Sequence, residues 1–566
     1  MKRSILNQSP PKVLLWGLLI IVIFFSLSPT LQLIIAAVAD LPAGRESSMA
    51  RVFSDQRTWT AIYHSLYTSF WGMVISVLLG SLFAFCLTLT NIRGKGIWIF
   101  LFMLPMMIPP QVTALSWLQL FGSNSIILKA LGFAPGFGRT NPLHSAEGIA
   151  LLLGIQHAPL VFLTLRTQLI NLPQEQIEAA RLNGASLWRV LIDIMIPLCR
   201  TALIAGAAIA FISSLGNFGI PAMLGIPISY FVLPTQIYQA MASFSSTMLN
   251  EVAAMSVLMG VMAFLIVAVQ SRLQQRYALP LIGSSGRALD FKLGYKRLLL
   301  ELFLGVILLL ILVAPLLALI ATSLVPTLGV PLTSDTMTLA AYRTMIDPYS
   351  ATWRALSNSM VLSVSAALIL MLLSIPFAYL LVRFPSRKLR FMERAIDIPY
   401  TLPGVVLAIA FILLFAKPIP IIEYTLYGTL GLIFIAYLAR FLTVCMKPVH
   451  NSMLQLDMAM EEAAALAGAN FYQRLRDIIL PLLAPAAFAG ALLVFMTAIN
   501  ELTVSALLWS TGNETLGVVI FNLDEGGNKV LASAVSVFVV FLVALVMLLL
   551  NLMGRYLPKG AIAWQQ

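Results

Sequence analysis

The sequence predicts an all-α polytopic membrane protein, built as two parallel-repeated six-helix units with about twelve transmembrane helices. Three observations predict it. Of 566 residues, 60% are hydrophobic and only 10% charged, whereas a soluble domain carries roughly 25% charged residues. The apolar residues form long uninterrupted runs, and about 18 or more such residues can cross the hydrocarbon as a helix. A pattern of prolines, glycines and acidic residues also occurs once in each half of the chain.

Continuous rather than alternating apolar runs exclude a β-barrel, the other architecture that satisfies every backbone group in lipid. The expected membrane segments are 13–38, 60–90, 97–120, 148–169, 201–224 and 250–270 in the first half. In the second they are 298–324, 357–382, 395–416, 428–446, 485–510 and 530–555. The first run, Val13 to Ala39, is longer than the roughly 7–15 residues of a signal h-region and reads as an uncleaved helix.

Basic residues set the expected orientation. Arg93 and Lys95, Arg181, Arg189 and Arg200, the group from Arg272 to Arg297, Arg383 to Arg390, and Arg474 and Arg476 all fall on alternate loops. By the positive-inside rule that side is cytoplasmic and holds both termini. The formal net charge of +12 is this bias, and no nucleic-acid partner is expected. The opposite loops, including Gly122–Gly148 and Thr511–Asn528, are polar and are candidate docking surfaces. Expected units are 1–275 and 298–566, joined by a basic cytoplasmic linker at 276–297.

Cys86, Cys199 and Cys445 are far apart and read as small buried hydrophobes. His64, His144, His157 and His450 are scattered, so no metal site is expected. No phosphate loop of the Gly-x-x-x-x-Gly-Lys-Ser/Thr type occurs either. The chain is therefore expected to be a non-catalytic subunit without a cofactor of its own.

The repeat is legible residue by residue. Pro105 and Pro109 recur 294 positions on as Pro399 and Pro403. Glu178-Ala179-Ala180, Gly184, Asp193 and Pro197 recur 284 positions on as Glu462-Ala463-Ala464, Gly468, Asp477 and Pro481. Both units start on the same side, so the repeat is parallel. Glu and Ala favour helix, which predicts short helices at Gln174–Leu182 and Asp457–Ala467. Gly184 and Gly468 can turn the chain at positive φ. Pro197 and Pro481 mark the approach to the next membrane helix.

This duplicated Glu-Ala-Ala loop, at 171–197 and 455–481, resembles the signature of bacterial ABC importer permeases. The whole chain is similar to the fused ferric-iron, thiamine and phosphonate group. The resemblance implies a type I ABC importer permease fold in the inner (cytoplasmic) membrane. It implies two ATP-binding cassette subunits docked on the Glu-Ala-Ala helices, carrying ATP and Mg, and a periplasmic or lipoprotein substrate-binding protein at the outer face. Ferric iron is the leading substrate, suggested also by Asn500-Glu501-Leu502 and the following Val504–Trp509 stretch. Thiamine, aminoethylphosphonate, polyamine and sugar phosphate remain open. An ion-coupled secondary transporter also suits two parallel halves, but the paired loops and few buried carboxylates argue against it.

Polar residues in membrane segments are costly and are function candidates. Asn500 and Glu501 are expected inside the eleventh helix, and Glu501 aligns with Asn217 of the fifth. Together with His157 these are candidates for the translocation path, against the alternative of ordinary interhelical hydrogen bonds. Pro109-Pro110, Pro399 and Pro403 are expected to break or kink helices three and nine. Gly216, Gly219, Pro221 and Gly225 mark a candidate re-entrant segment.

Overall fold

The computed structural model describes residues 12–136, 138–172, 174–186, 189–242, 247–277, 291–416 and 425–553. Among them, ten helices are long and apolar enough to cross a bilayer, and three further helix pairs meet at sharp bends.

The first unit comprises α1 (Lys12–Val38), α2 (Gln56–Leu89), α3 (Lys95–Met107), α4 (Pro110–Phe121), α5 (Ala146–Ile170), α6 (Gln174–Leu182), α7 (Val190–Leu215), α8 (Gly219–Gly225), α9 (Leu233–Met241) and α10 (Met248–Tyr277). The second unit repeats the order with α11 (Lys296–Ser323), α12 (Ala351–Arg383), α13 (Arg387–Thr401), α14 (Gly404–Phe415), α15 (Leu430–Gln455), α16 (Met458–Leu466), α17 (Phe471–Ile499), α18 (Leu516–Glu525) and α19 (Lys529–Met553).

Helix starts follow from local chemistry. Asp55, Ser145, Ser350, Ser386 and Thr429 each accept a backbone N–H of the first turn of α2, α5, α12, α13 and α15, which satisfies an otherwise orphaned donor. The repeat reaches single bonds. Ser65 accepts the N–H of Leu233 at 2.7 Å, and Ser359 accepts that of Leu516 at 2.8 Å.

Prolines shape the interior of the helices. Turns of the i→i+5 type occupy Ile23–Leu27, Val190–Met195, Leu309–Val313 and Leu475–Ile479. Pro29, Pro197, Pro315 and Pro481 follow two residues after these turns. Proline has no N–H for the i−4 carbonyl, and a wider turn absorbs the lost bond. Pro197 and Pro481 thus lie within continuous helices, about two and three turns in, rather than ahead of them.

The breaks expected at the prolines of helices three and nine are present and sharp. Segments 97–120 and 395–416 are each broken, with a 100° bend between Lys95–Met107 and Pro110–Ala130 and a 106° bend between α13 and α14. Ile108 and Leu402 take extended backbone because the following Pro109 and Pro403 disfavour helix at the preceding residue. The expected spans 201–224 and 485–510 end early, at Leu215 and Ile499.

Close helix contact rests on small residues, as membrane packing requires. A Cβ on Gly80 of α2 would lie 2.5 Å from the Ala158 carbonyl of α5, and one on Gly154 of α5 would lie 2.5 Å from Ile75. Ser76 adds a hydrogen bond to the Gly154 carbonyl at 2.8 Å.

The joint between units lies partly at 278–290, outside the described residues. Its far end docks on the end of α2, where Phe291 N–H donates to the Leu89 carbonyl at 2.7 Å and Leu293 N–H to Asn91 at 3.1 Å.

Candidate functional site: two surface helices and a cavity between the units

The Glu-Ala-Ala helices form as their propensity suggests, at Gln174–Leu182 and Met458–Leu466. Both end in the same left-handed glycine, Gly184 with φ 81° and Gly468 with φ 88°. The closing bonds match: Ala185 N–H to the Ala180 carbonyl, and Ala469 N–H to the Ala464 carbonyl, each 3.0 Å. This is the 6→1 bond of a glycine-terminated helix. Glu178, Ala179, Ala463, Gly184 and Gly468 are exposed, and Ala180, Glu462 and Ala464 are half-buried. The last residue of each helix is a leucine at the equivalent position, Leu182 at 89% and Leu466 at 75% exposure. Both units thus present the same exposed terminal leucine.

The second element is a cavity of about 700 Å³ where the units meet. Gln111, Asn217, Arg440, Asn500, Glu501 and Thr503 are among its polar lining residues. It is built by crossing over. The end of α7 approaches the break of the other unit, with a Cβ on Gly216 falling 3.5 Å from Pro403. The end of α17 does the reverse, with Asn500 Nδ2 donating to the Met107 carbonyl at 3.3 Å.

Asn500 and Glu501 are thus not inside a helix, as expected, but just beyond one. Asn217 is placed likewise. The reason is capping: Asn217 Oδ1 accepts the N–H of Ile220 at 3.1 Å, and Glu501 Oε1 accepts that of Val504 at 2.8 Å. Each polar side chain ends one helix by holding the start of the next short one.

The partners of these two residues are also equivalent. Asn217 Nδ2 donates to Gln156 Oε1 at 3.3 Å, and Arg440 Nε lies 3.5 Å from Glu501 Oε2. Gln156 and Arg440 are 284 positions apart, as are Asn217 and Glu501. An amide pair in one unit therefore stands where the other has an ion pair. His157 is placed differently from the other candidates. It is buried outside the cavity lining, with Nδ1 3.0 Å from Ser214 Oγ.

The chain matches the family described as "Binding-protein-dependent transport system inner membrane component" over residues 76–279 and again over 371–562. It belongs to that family. The two matches are the two permease units seen in the fold. The ferric transport system permease protein FbpB of Actinobacillus pleuropneumoniae is 25% identical over 540 residues, covering 94% of this chain and 77% of the relative. The probable ABC transporter permease protein y4fN of Sinorhizobium fredii is 23% identical, covering 94% of this chain and 95% of its own length. The molybdenum transport system permease protein ModB of Escherichia coli is 31% identical over 182 residues, only 32% of this chain but 78% of its own. That relative therefore matches about a third of this chain.

The sequence reading of this permease missed Glu461. Glu462 opens the Glu-Ala-Ala motif, yet its neighbour Glu461 is the buried acid, 2% exposed. Glu461 receives Arg383 Nε at 2.6 Å and the Tyr379 hydroxyl at 2.9 Å. The doubled glutamate was the available signal: in a helix, adjacent residues face about 100° apart, so two neighbouring acids can meet different surroundings.

Proposed function

We propose that this permease forms the substrate path of an ABC importer for ferric iron and couples to separate ATP-binding cassette subunits through α6 and α16. The observation that carries the coupling is the duplicated surface helix, with its glycine stop and exposed terminal leucine repeated in both units. In this reading the side bearing α6 and α16 is cytoplasmic and both termini lie there, as the clustered arginines and lysines suggest. A periplasmic or lipoprotein binding protein delivers substrate to the opposite face.

The chain's own residues then act as path and lever. ATP and Mg belong to the partner chains, whose closure draws α6 and α16 together. Glu178 and Glu462 offer carboxylates to donors on those partners, and the small Ala179, Ala180, Ala463 and Ala464 permit close seating. Pro197 and Pro481 carry the motion into α7 and α17, whose far ends, at Asn217, Asn500 and Glu501, line the cavity between the units. His157 contributes by packing against Ser214 beside that path. Motion of α7 and α17 opens the cavity to alternate faces.

Support for ferric iron comes from coverage. The permeases named for ferric transport match along 94% and 88% of this chain, whereas the molybdenum permease matches 32%. Iron capture by hard oxygen ligands is assigned to the binding protein.

The test is co-purification of the complex, then ATPase and uptake assays in liposomes with candidate binding proteins loaded with ferric ion or molybdate. Stimulation by the ferric-loaded protein alone supports the proposal. Stimulation by another loaded protein replaces the substrate. Uptake that follows an ion gradient without any ATP-binding subunit overturns the class.

A further inference from the structure

The two surface helices are fastened to the membrane helices by different chemistry. In the second unit, Arg383 at the end of α12 and Glu461 of α16 form an ion pair with side chains only 6% and 3% exposed. Tyr379, one turn earlier on α12, donates to the second carboxylate oxygen. Arg383 Nη2 also donates to the Leu456 carbonyl at 3.2 Å, just ahead of α16. Arg474, at the start of α17, is buried and adds positive charge beside Tyr379. The Tyr379 ring is held edge-on by Phe384 and Phe471, at 6.0 and 5.5 Å.

The first unit has none of these charges. The 294-residue offset pairs Tyr379 and Arg383 with Phe85 and Leu89, and the 284-residue offset pairs Glu461 and Arg474 with Ile177 and Val190. Leu89, Ile177 and Val190 are 5%, 1% and 1% exposed, and Phe85 packs against the same apolar core. All four polar positions are apolar in the other copy. A partial change would have left a buried charge without a partner, which is strongly unfavourable.

We infer that the Arg383–Glu461–Tyr379 cluster welds α16 to α12, whereas the matching positions of the first unit hold only apolar side chains, so the two units pass partner motion to the membrane through unequal linkages. This rests on the coupling role proposed above. Hydrogen bonds to a charged group are directional and hold both atoms at fixed distance. Apolar contact is non-directional and tolerates sliding. A buried ion pair is also a poor means of gaining stability, since apolar replacement is often neutral or stabilising. Its value here is position: Glu461, Arg383 and Tyr379 are positioning residues that make α16 and α12 move as one body.

The test copies the first unit into the second: Tyr379→Phe, Arg383→Leu, Glu461→Ile and Arg474→Val together, in the full chain with its ATP-binding subunits and binding protein in liposomes. The expected result is an assembled complex of unchanged or higher thermal stability, whose substrate moved per ATP hydrolysed falls several-fold. An assembled variant with wild-type transport per ATP overturns the inference. If the variant does not assemble, Arg383→Cys with Glu461→Cys is tied by a short bifunctional thiol cross-linker in place of the ionic weld. Transport per ATP should be higher after cross-linking than before it, and equal values in both states overturn the inference. A Gly468→Val variant separates the two claims. If it transports normally, the coupling role itself fails. If it is uncoupled while the four-residue variant is not, only the weld fails.

Discussion

Arg440 and Glu501, both from the second unit, form an ion pair in the lining of the cavity, 3.5 Å from Nε to Oε2, where the other unit places Gln156 and Asn217. The neutral pair shows that the position needs a hydrogen-bonded partnership rather than charge. The double variant Arg440→Gln, Glu501→Asn should therefore fold. Each single variant leaves a partly buried charge or amide unpaired and should cost about 1–3 kcal/mol. Thermal unfolding of the four proteins of this cycle checks it. A double variant as unstable as the sum of the singles would contradict the pairing.

Gly184 and Gly468 stand at φ 81° and 88° with open space around them. A valine there pays the left-handed penalty of roughly 1–2 kcal/mol without any clash, so the loop should distort while the membrane helices stay intact. We expect Gly468→Val to insert normally and to lose transport. Membrane insertion by protease mapping, run beside uptake, distinguishes this from misfolding.

The α2–α5 contact leaves no room for a side chain. Gly80→Leu or Gly154→Leu should force the helices apart, with overpacking costs of about 1–3 kcal/mol or more. Detergent-solubilised protein should show a lowered melting temperature, while Gly96→Leu, with nothing within 4 Å of its Cβ position, should leave it unchanged.

Glu514 links the loop after α17 to α12. Desolvation raises its pKa, but the Gly512 and Glu514 backbone N–H groups and Arg354 outweigh this and hold it below the ordinary 4.5. A depressed carboxyl stabilises the fold above its unfolded pKa, and this is lost as pH falls through the folded value. Acidification below about pH 4.5 should therefore cost the wild type more than Glu514→Gln. Melting temperatures measured across that range check it; parallel curves would assign Glu514 no such role.

Much of the architecture was legible in the residues. Run length, the absence of alternation and the two offsets were enough for the helical class, the parallel duplication and both Glu-Ala-Ala helices, because each depends on periodicity and local propensity. The breaks at Pro109 and Pro403 were legible as breaks for the same reason: proline acts on its own neighbours.

What the tertiary structure decided was partnership. Glu461 and Glu462 are adjacent acids in one helix, and only the approach of α12 determines that Glu461 is buried on Arg383. Asn217, Asn500 and Glu501 read as polar residues within helices, and only the bend that follows turns them into caps at the rim of a shared cavity. His157 reads from sequence as either a path residue or a packed imidazole, and only the fold places it 3.0 Å from Ser214 and outside the cavity lining. These outcomes depend on residues scores to hundreds of positions apart, and apolar periodicity determines which face a helix buries without naming what it meets there.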